Sequence, residues 1–379
     1  MNKNRIFGVL MVLMLLLTGC SFMSERYISV TPHQEQGSDD RDGMVSASNY
    51  GQLRTALEDM VLSAQNTGVI NVSEYDASAL ESGMSMAARY IKTIYPIGAY
   101  AVSELHYEIG SGGGKPAVAV EITYSRSHME IQKIRSVRDM EEMAGVLYGS
   151  LENHDASLVL KVENFQDTDF AQLVQDYAEN NPGDVMETPQ LSVGIYGNGN
   201  SCVAEFTFLY QNSRENLRQM KAQVSPVFAS ADLYVRGDAK EYRKFSQLYA
   251  FLMERYDYTI ETSITPAYSL LCHGVGDSRA FATVYAAMCR RAGLECLTVT
   301  GTCSGEPRTW NMICDNGIYY HVDLLRCNAE GGFRGYADWE MTGYVWDYSA
   351  FPACGGVTEE LPEEPAEETE PEEKEEGAV

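Results

Sequence analysis

Four side chains in the last third of the chain have types and spacing that suggest chemistry: Ser278, Arg308, His321 and Asp323. Ser278 follows a glycine turn in Gly274-Val-Gly-Asp-Ser278 and opens an apolar-periodic stretch with Phe281, Val284, Tyr285, Met288 and Ala292 at helical spacing. A nucleophile at a helix start feels the positive end of the helix dipole. That favours a thiolate but gains a hydroxyl almost nothing, so serine would need a general base. The structural role open to Ser278 is helix capping, its oxygen accepting a free backbone N–H.

The elements that must position these groups follow from the turn signals. Arg308 to Ile313 and Ile318 to Leu324 read as strands around Asn316-Gly317, a strong two-residue hairpin signal. Pairing outward from that turn sets Trp310 opposite Asp323 and Arg308 opposite Leu325. Arg308 and Asp323 are then diagonal neighbours on one face, within reach of a long side chain. A bidentate ion pair is expected there. Arginine stays protonated and has no acceptor lone pair, so it cannot take a proton from Ser278. His321 shares the face of Asp323, which makes a Ser278–His321 dyad conceivable, although a plain strand histidine is the simpler reading. Cys272-His273, read as extended, point to opposite faces and make a poor dyad. Cys303 could present a displaced thiol.

Gly274-Val-Gly-Asp-Ser278-Arg-Ala-Phe-Ala282, Arg308-Thr-Trp-Asn311 and His321-Val-Asp323 together resemble the core of the transglutaminase-like superfamily, whose fold is related to papain-type cysteine proteases. The resemblance implies a catalytic Cys at the position of Ser278, a His at that of Arg308 and an Asp at Asp323. Only Asp323 matches. The similarity continues through Asp338-Trp-Glu-Met341 and Tyr344-Val-Trp-Asp-Tyr348 to Cys354, so the implied domain spans 236–354. It implies an α+β fold with a groove near Trp310 and His321, and the substitutions at Ser278 and Arg308 lead us to expect binding or scaffolding in place of catalysis. The alternative is an active hydrolase or transferase using Ser278 with His321, or a displaced Cys.

The preceding region, 49–235, reads as one α+β unit used twice, at 49–130 and 131–235. Each copy has helix, strand, helix and a hairpin. Ala117 to Tyr124 aligns with Cys202 to Tyr210. His106, His128 and His154 are isolated and carry no chemical reading. Residues 1–19 look like a signal peptide, with Lys3 and Arg5 before the apolar run Ile6 to Leu17, too short for a span of about 20 residues. Leu17-Thr-Gly-Cys20 resembles a bacterial lipobox, which implies lipidation at Cys20. The expected location is the extracytoplasmic face of the cell membrane. Residues 20–48 are a polar spacer.

Residues 355–379 read as a disordered acidic tail, because Glu359 to Glu376 holds eleven Glu and one Lys. The net charge of −26 remains clearly acidic without it. That excludes nucleic acid, whose phosphates need clustered Lys and Arg. A peptide, protein or cell-wall ligand remains as partner. With Cys20 lipidated, eight of the nine cysteines remain, an even count that permits disulfides in an exported chain, with Cys289 and Cys296 equally readable as buried apolar residues. No spacing suggests a metal site, and nothing calls for a cofactor.

Overall fold

The computed structural model describes residues 45–355. The expected signal peptide, Cys20, most of the spacer and most of the acidic tail lie outside the described residues. Among the described residues, no helix is long and apolar enough to cross a membrane.

The chain is α+β. The first unit runs β1 (Val45–Ser46), α1 (Tyr50–Leu62), β2 (Thr67–Asn71), α2 (Leu80–Thr93), α3 (Pro96–Ala101), β3 (Val102–Gly112), β4 (Lys115–Tyr124) and α4 (His128–Gln132). The second runs β5 (Arg135–Val137), α5 (Met140–Glu152), β6 (Ser157–Val162), α6 (Phe170–Asn180), β7 (Gln190–Tyr196), β8 (Cys202–Leu209) and α7 (Arg214–Tyr234). The two four-stranded sheets share an order, β1-β2-β4-β3 and β5-β6-β8-β7. In each, a short first strand pairs parallel to the second and the rest is antiparallel.

The two units differ in how they end. α4 is a single short turn held by a capping box, Ser127 with Glu130. α7 is 21 residues long. Its Leu217, Val224, Phe228 and Ala231 pack into the core of the third unit, not the second. Of the isolated histidines, His106 stays at the surface beside Glu104, while His154 is buried and its Nε2 accepts from the Met186 N–H at 3.4 Å. Burial pushes His154 down to about 4.

The third unit runs α8 (Glu241–Met253), β9 (Asp257–Tyr258), α9 (Pro266–His273), β10 (Val275–Gly276), α10 (Ser278–Arg291), β11 (Cys296–Cys303), β12 (Glu306–Asp315), β13 (Ile318–Val322), α11 (Leu324–Glu330) and β14 (Tyr344–Val345). Its sheet has the order β13-β12-β11-β14. α10 is buried almost throughout, from Ala280 to Cys289. It packs against β11 and β12, which fixes its N-terminus beside the hairpin. The edge strand β14 approaches β11 at Gly301, where a Cβ would lie 2.2 Å from the Val345 carbonyl oxygen. Only glycine fits that approach, and through it the distant Tyr344 reaches the hairpin.

Three expectations need correction. The β13 strand ends at Val322, because Asp323 turns the chain and caps α11. Cys272 and His273 close α9 instead of lying on an extended segment, since Pro266 opens a helix and Gly274 closes it at φ +85°. Ser278 is the first residue of α10, not its cap. Asp277 takes that place, its side chain accepting the Ala280 N–H at 2.8 Å. All eight described cysteines are free thiols.

Candidate functional site

The hairpin register runs from Asp315↔Ile318 to Asn311↔Val322. Extending it by one step brings Trp310 level with Asp323 and sets Arg308 on the diagonal. Arg308 Nε donates to Asp323 Oδ2 and Nη2 donates to Oδ1, both at 2.8 Å. The carboxylate is 1% exposed. It also accepts the Tyr344 hydroxyl at 2.7 Å and, as helix cap, the N–H groups of Leu325 at 3.1 Å and Arg326 at 3.2 Å. Five donors therefore converge on two oxygens. Burial opposes the charge on Arg308, yet hydrogen bonding and attraction to Asp323 outweigh it and hold its pKa above the ordinary guanidinium value. Burial first, and then the same carboxylate, hold the Tyr344 hydroxyl protonated well above the ordinary tyrosine range.

Ser278 stands beside this pair without a base. Its Oγ accepts the Thr309 backbone N–H at 3.3 Å. Among the described residues, no imidazole or carboxylate is hydrogen-bonded to it. The space walled by Ser278, Phe281, Thr309, Trp310 and Asp323 is too tight for a water.

His321 is committed elsewhere. Its Nδ1 accepts the Trp310 indole N–H at 3.0 Å, and its Nε2 lies 2.9 Å from Asp338 Oδ1. An indole N–H only donates, so Nδ1 must be the acceptor nitrogen. The ring proton then sits on Nε2 and points at Asp338. Burial pulls the pKa of His321 down, against a smaller upward pull from Asp338, which suits a neutral ring. Trp310 and His321 are 1% and 0% exposed, so neither faces the open groove expected of them. Trp310 lies edge-on to Tyr344 and Trp346, with centroids at 5.1 and 5.8 Å, and serves as the packed centre behind the ion pair. The Ser278–His321 dyad is overturned on this geometry, because the ring keeps no lone pair for Ser278.

His321, Asp338 and Cys354 offer ligand atoms within 4.8 Å of one another. A cation there would need the Nε2 lone pair. The Trp310 bond denies it, since freeing Nε2 would leave an imidazolate. Burial pushes the Cys354 thiol up to about 12, with Asp338 adding to it. The set fits a hydrogen-bonded clasp better than a metal centre: Asp338 Oδ2 also accepts the Cys354 N–H at 3.0 Å, tying the closing segment to the sheet. Of the other thiols, Cys303 lies on β11 opposite Tyr344, and burial raises Cys272. Neither has a hydrogen-bonded imidazole partner among the described residues.

Sequence reasoning placed Arg308, Asp323 and Ser278 together. The resemblance included the segments of Tyr344 and Asp338 but gave neither residue a role, because each arrives from a distant segment and is defined by what it touches.

Residues 229–324 match the profile of the transglutaminase-like superfamily. The chain thus carries a transglutaminase-like domain within a mixed α+β fold. Among solved structures, a transglutaminase is 10% identical at a TM-score of 0.25, with 57% of this chain and 63% of that one covered. A proposed cysteine protease from Cytophaga hutchinsonii is 13% identical at 0.25, with 38% and 65% covered. A proposed protease from Parabacteroides distasonis is 8% identical at 0.22, with 67% and 39% covered. The chain thus spans less than two thirds of the length of each. No curated protein sequence matches the chain.

Removing the cation should expose the cost of the site. Arg308→Ala leaves a buried carboxylate with three donors but no counter-charge. The expected loss is about 3 kcal/mol of unfolding free energy, read from denaturant midpoints. A change under about 0.5 kcal/mol would mean that the pair contributes little beyond the remaining hydrogen bonds.

Proposed function

We propose that this chain is a cell-envelope lipoprotein whose transglutaminase-like domain binds a ligand and does not catalyse. The observation that carries this reading is the bidentate Arg308–Asp323 pair standing where the resemblance implies a histidine and its orienting aspartate. Acyl transfer needs a nucleophile and a group to accept its proton. Ser278 keeps its proton, Arg308 cannot accept it, and Asp323 is saturated. His321 points its own N–H away.

The frame is retained while its chemistry is not, and that supports a binding role. Arg308 uses Nε and Nη2 on Asp323, which leaves Nη1 to donate to a ligand carbonyl or carboxylate. The Arg308 side chain is 18% exposed. Tyr258 lies near enough to bear on the charge of Arg308. With Ile260 and Ile264 it offers exposed apolar surface on the segment before α9. A peptide or cell-wall ligand would meet both features. The envelope location rests on the lipobox-like Leu17 to Cys20, and on that reading Cys20→Ser would shift the chain from the membrane fraction to the soluble one.

Intact-mass labelling with a fluorophosphonate and an iodoacetamide probe tests the loss of catalysis. The expected result is no stoichiometric, selective adduct at Ser278 or at any one cysteine, in the native chain and in Ser278→Ala alike. A single saturating adduct that disappears in Ser278→Ala, or maps to one thiol, would restore the enzyme reading and name its nucleophile.

A further inference from the structure

A second site lies away from the Ser278 region, where the end of α6 meets α7 and the last turn of α10. There, a cavity of about 440 Å3 is lined by Asn180, Asp184, Ser225, Phe228, Arg290 and Arg291, among others. Small-molecule sites favour such junctions between packed units, and this volume falls in their usual range.

The charges around it do not balance. Arg291 is paired with Asp232, its Nε at 3.2 Å from Oδ1, and its guanidinium lies 5.8 Å above the Phe228 ring. Asp184 is paired with Lys221 at 2.9 Å. Arg290 has no carboxylate partner among the described residues. Its Nη1 donates to the Cys296 carbonyl at 3.3 Å and its Nη2 to the Asn180 carbonyl. Both acceptors are neutral, and they leave Nε and one hydrogen on each terminal nitrogen unused. A partly buried guanidinium held only by carbonyls is costly, and an anion that reaches its free edge offsets that cost. Burial pulls the pKa of Arg290 below the ordinary guanidinium value. Arg308, by contrast, has its counter-ion and shifts the other way.

We propose that this cavity binds an organic carboxylate, with the anion on the free edge of Arg290 and the apolar body against Phe228. A singly charged group suits it better than a phosphate. Only one positive charge is uncompensated, and Asp184 on the wall repels a second negative one. The carboxylate has two possible sources: a free ligand, or a glutamate of the chain's own segment Glu359 to Glu376. The site is independent of the reading given for Ser278 and Arg308.

Titration calorimetry with benzoate, benzamide and inorganic phosphate tests it, on the full chain and on a chain lacking residues 356–379. The expected result is saturable one-to-one binding of benzoate, with no binding of benzamide and weaker binding of phosphate. Arg290→Gln should weaken benzoate by about tenfold or more. Arg290 also bridges α6 and β11, so that variant could be lost to misfolding. Ser225→Glu avoids this, because Ser225 is exposed on α7 and the new carboxylate would compete for the same edge. It too should weaken benzoate about tenfold. Tighter binding on removing 356–379 would identify the chain's own glutamates as the native occupant, and unchanged binding would point to an external carboxylate. Absence of saturable benzoate binding in both chains would overturn the proposal. So would equal affinity for benzamide, or an affinity unchanged in both variants.

Discussion

A buried carboxylate has to be satisfied, and the third unit is arranged around satisfying Asp323. Its two oxygens take the fork of Arg308 from β12, the hydroxyl of Tyr344 from β14 and the first free N–H groups of α11. One side chain thereby joins two strands and a helix. The desolvation cost of a carboxylate that is 1% exposed leaves little freedom in the placement of any of these elements. The same bonds fill the strong acceptor directions of Asp323. A carboxylate with every strong acceptor direction filled cannot also orient a moving proton.

A parallel arrangement holds the face behind it. Trp310 donates to His321, His321 donates to Asp338, and Asp338 receives the Cys354 N–H. This chain of bonds runs in one direction because its first member can only donate. It locks the imidazole as a structural link and ties the closing segment to the sheet centre. The two networks share Trp310 and Tyr344 as packed neighbours. The two networks together cross-link the sheet, α11 and the closing segment around Trp310.

The parts legible in the sequence were those fixed by local rules. Asn316-Gly317 sets the hairpin register, and register alone places Arg308 on the diagonal from Asp323. Apolar residues at helical spacing from Phe281 to Ala292 correspond to α10, and the hairpin read in each copy of the duplicated region corresponds to β3–β4 and β7–β8. Other parts depend on tertiary contact. Asp277 and Ser278 are adjacent and both are good caps, so a shift of one residue decides between them, and the packing of α10 against β12 makes that choice. The strands β1 and β5 are two and three residues long, too short to carry a period. The role of His321 depends on Trp310 and Asp338, and a shared strand face with Asp323 gave no sign of either. The family resemblance located the frame, and the hydrogen bonds add which partner each of Ser278, Arg308 and Asp323 holds.

The central claim is that, among the described residues, every group able to accept a proton from Ser278 is already engaged. Nitrogen-15 NMR of the histidine side chains across about pH 5 to 9 tests it most directly, with His321→Gln to assign the signal. The account predicts a His321 ring whose titration is displaced below the ordinary histidine value by burial, and whose neutral form is protonated on Nε2, with Nδ1 showing the shift of an acceptor nitrogen. A ring that titrates near neutral pH, or that carries its proton on Nδ1 with Nε2 bare, would contradict it and leave a base available to the site.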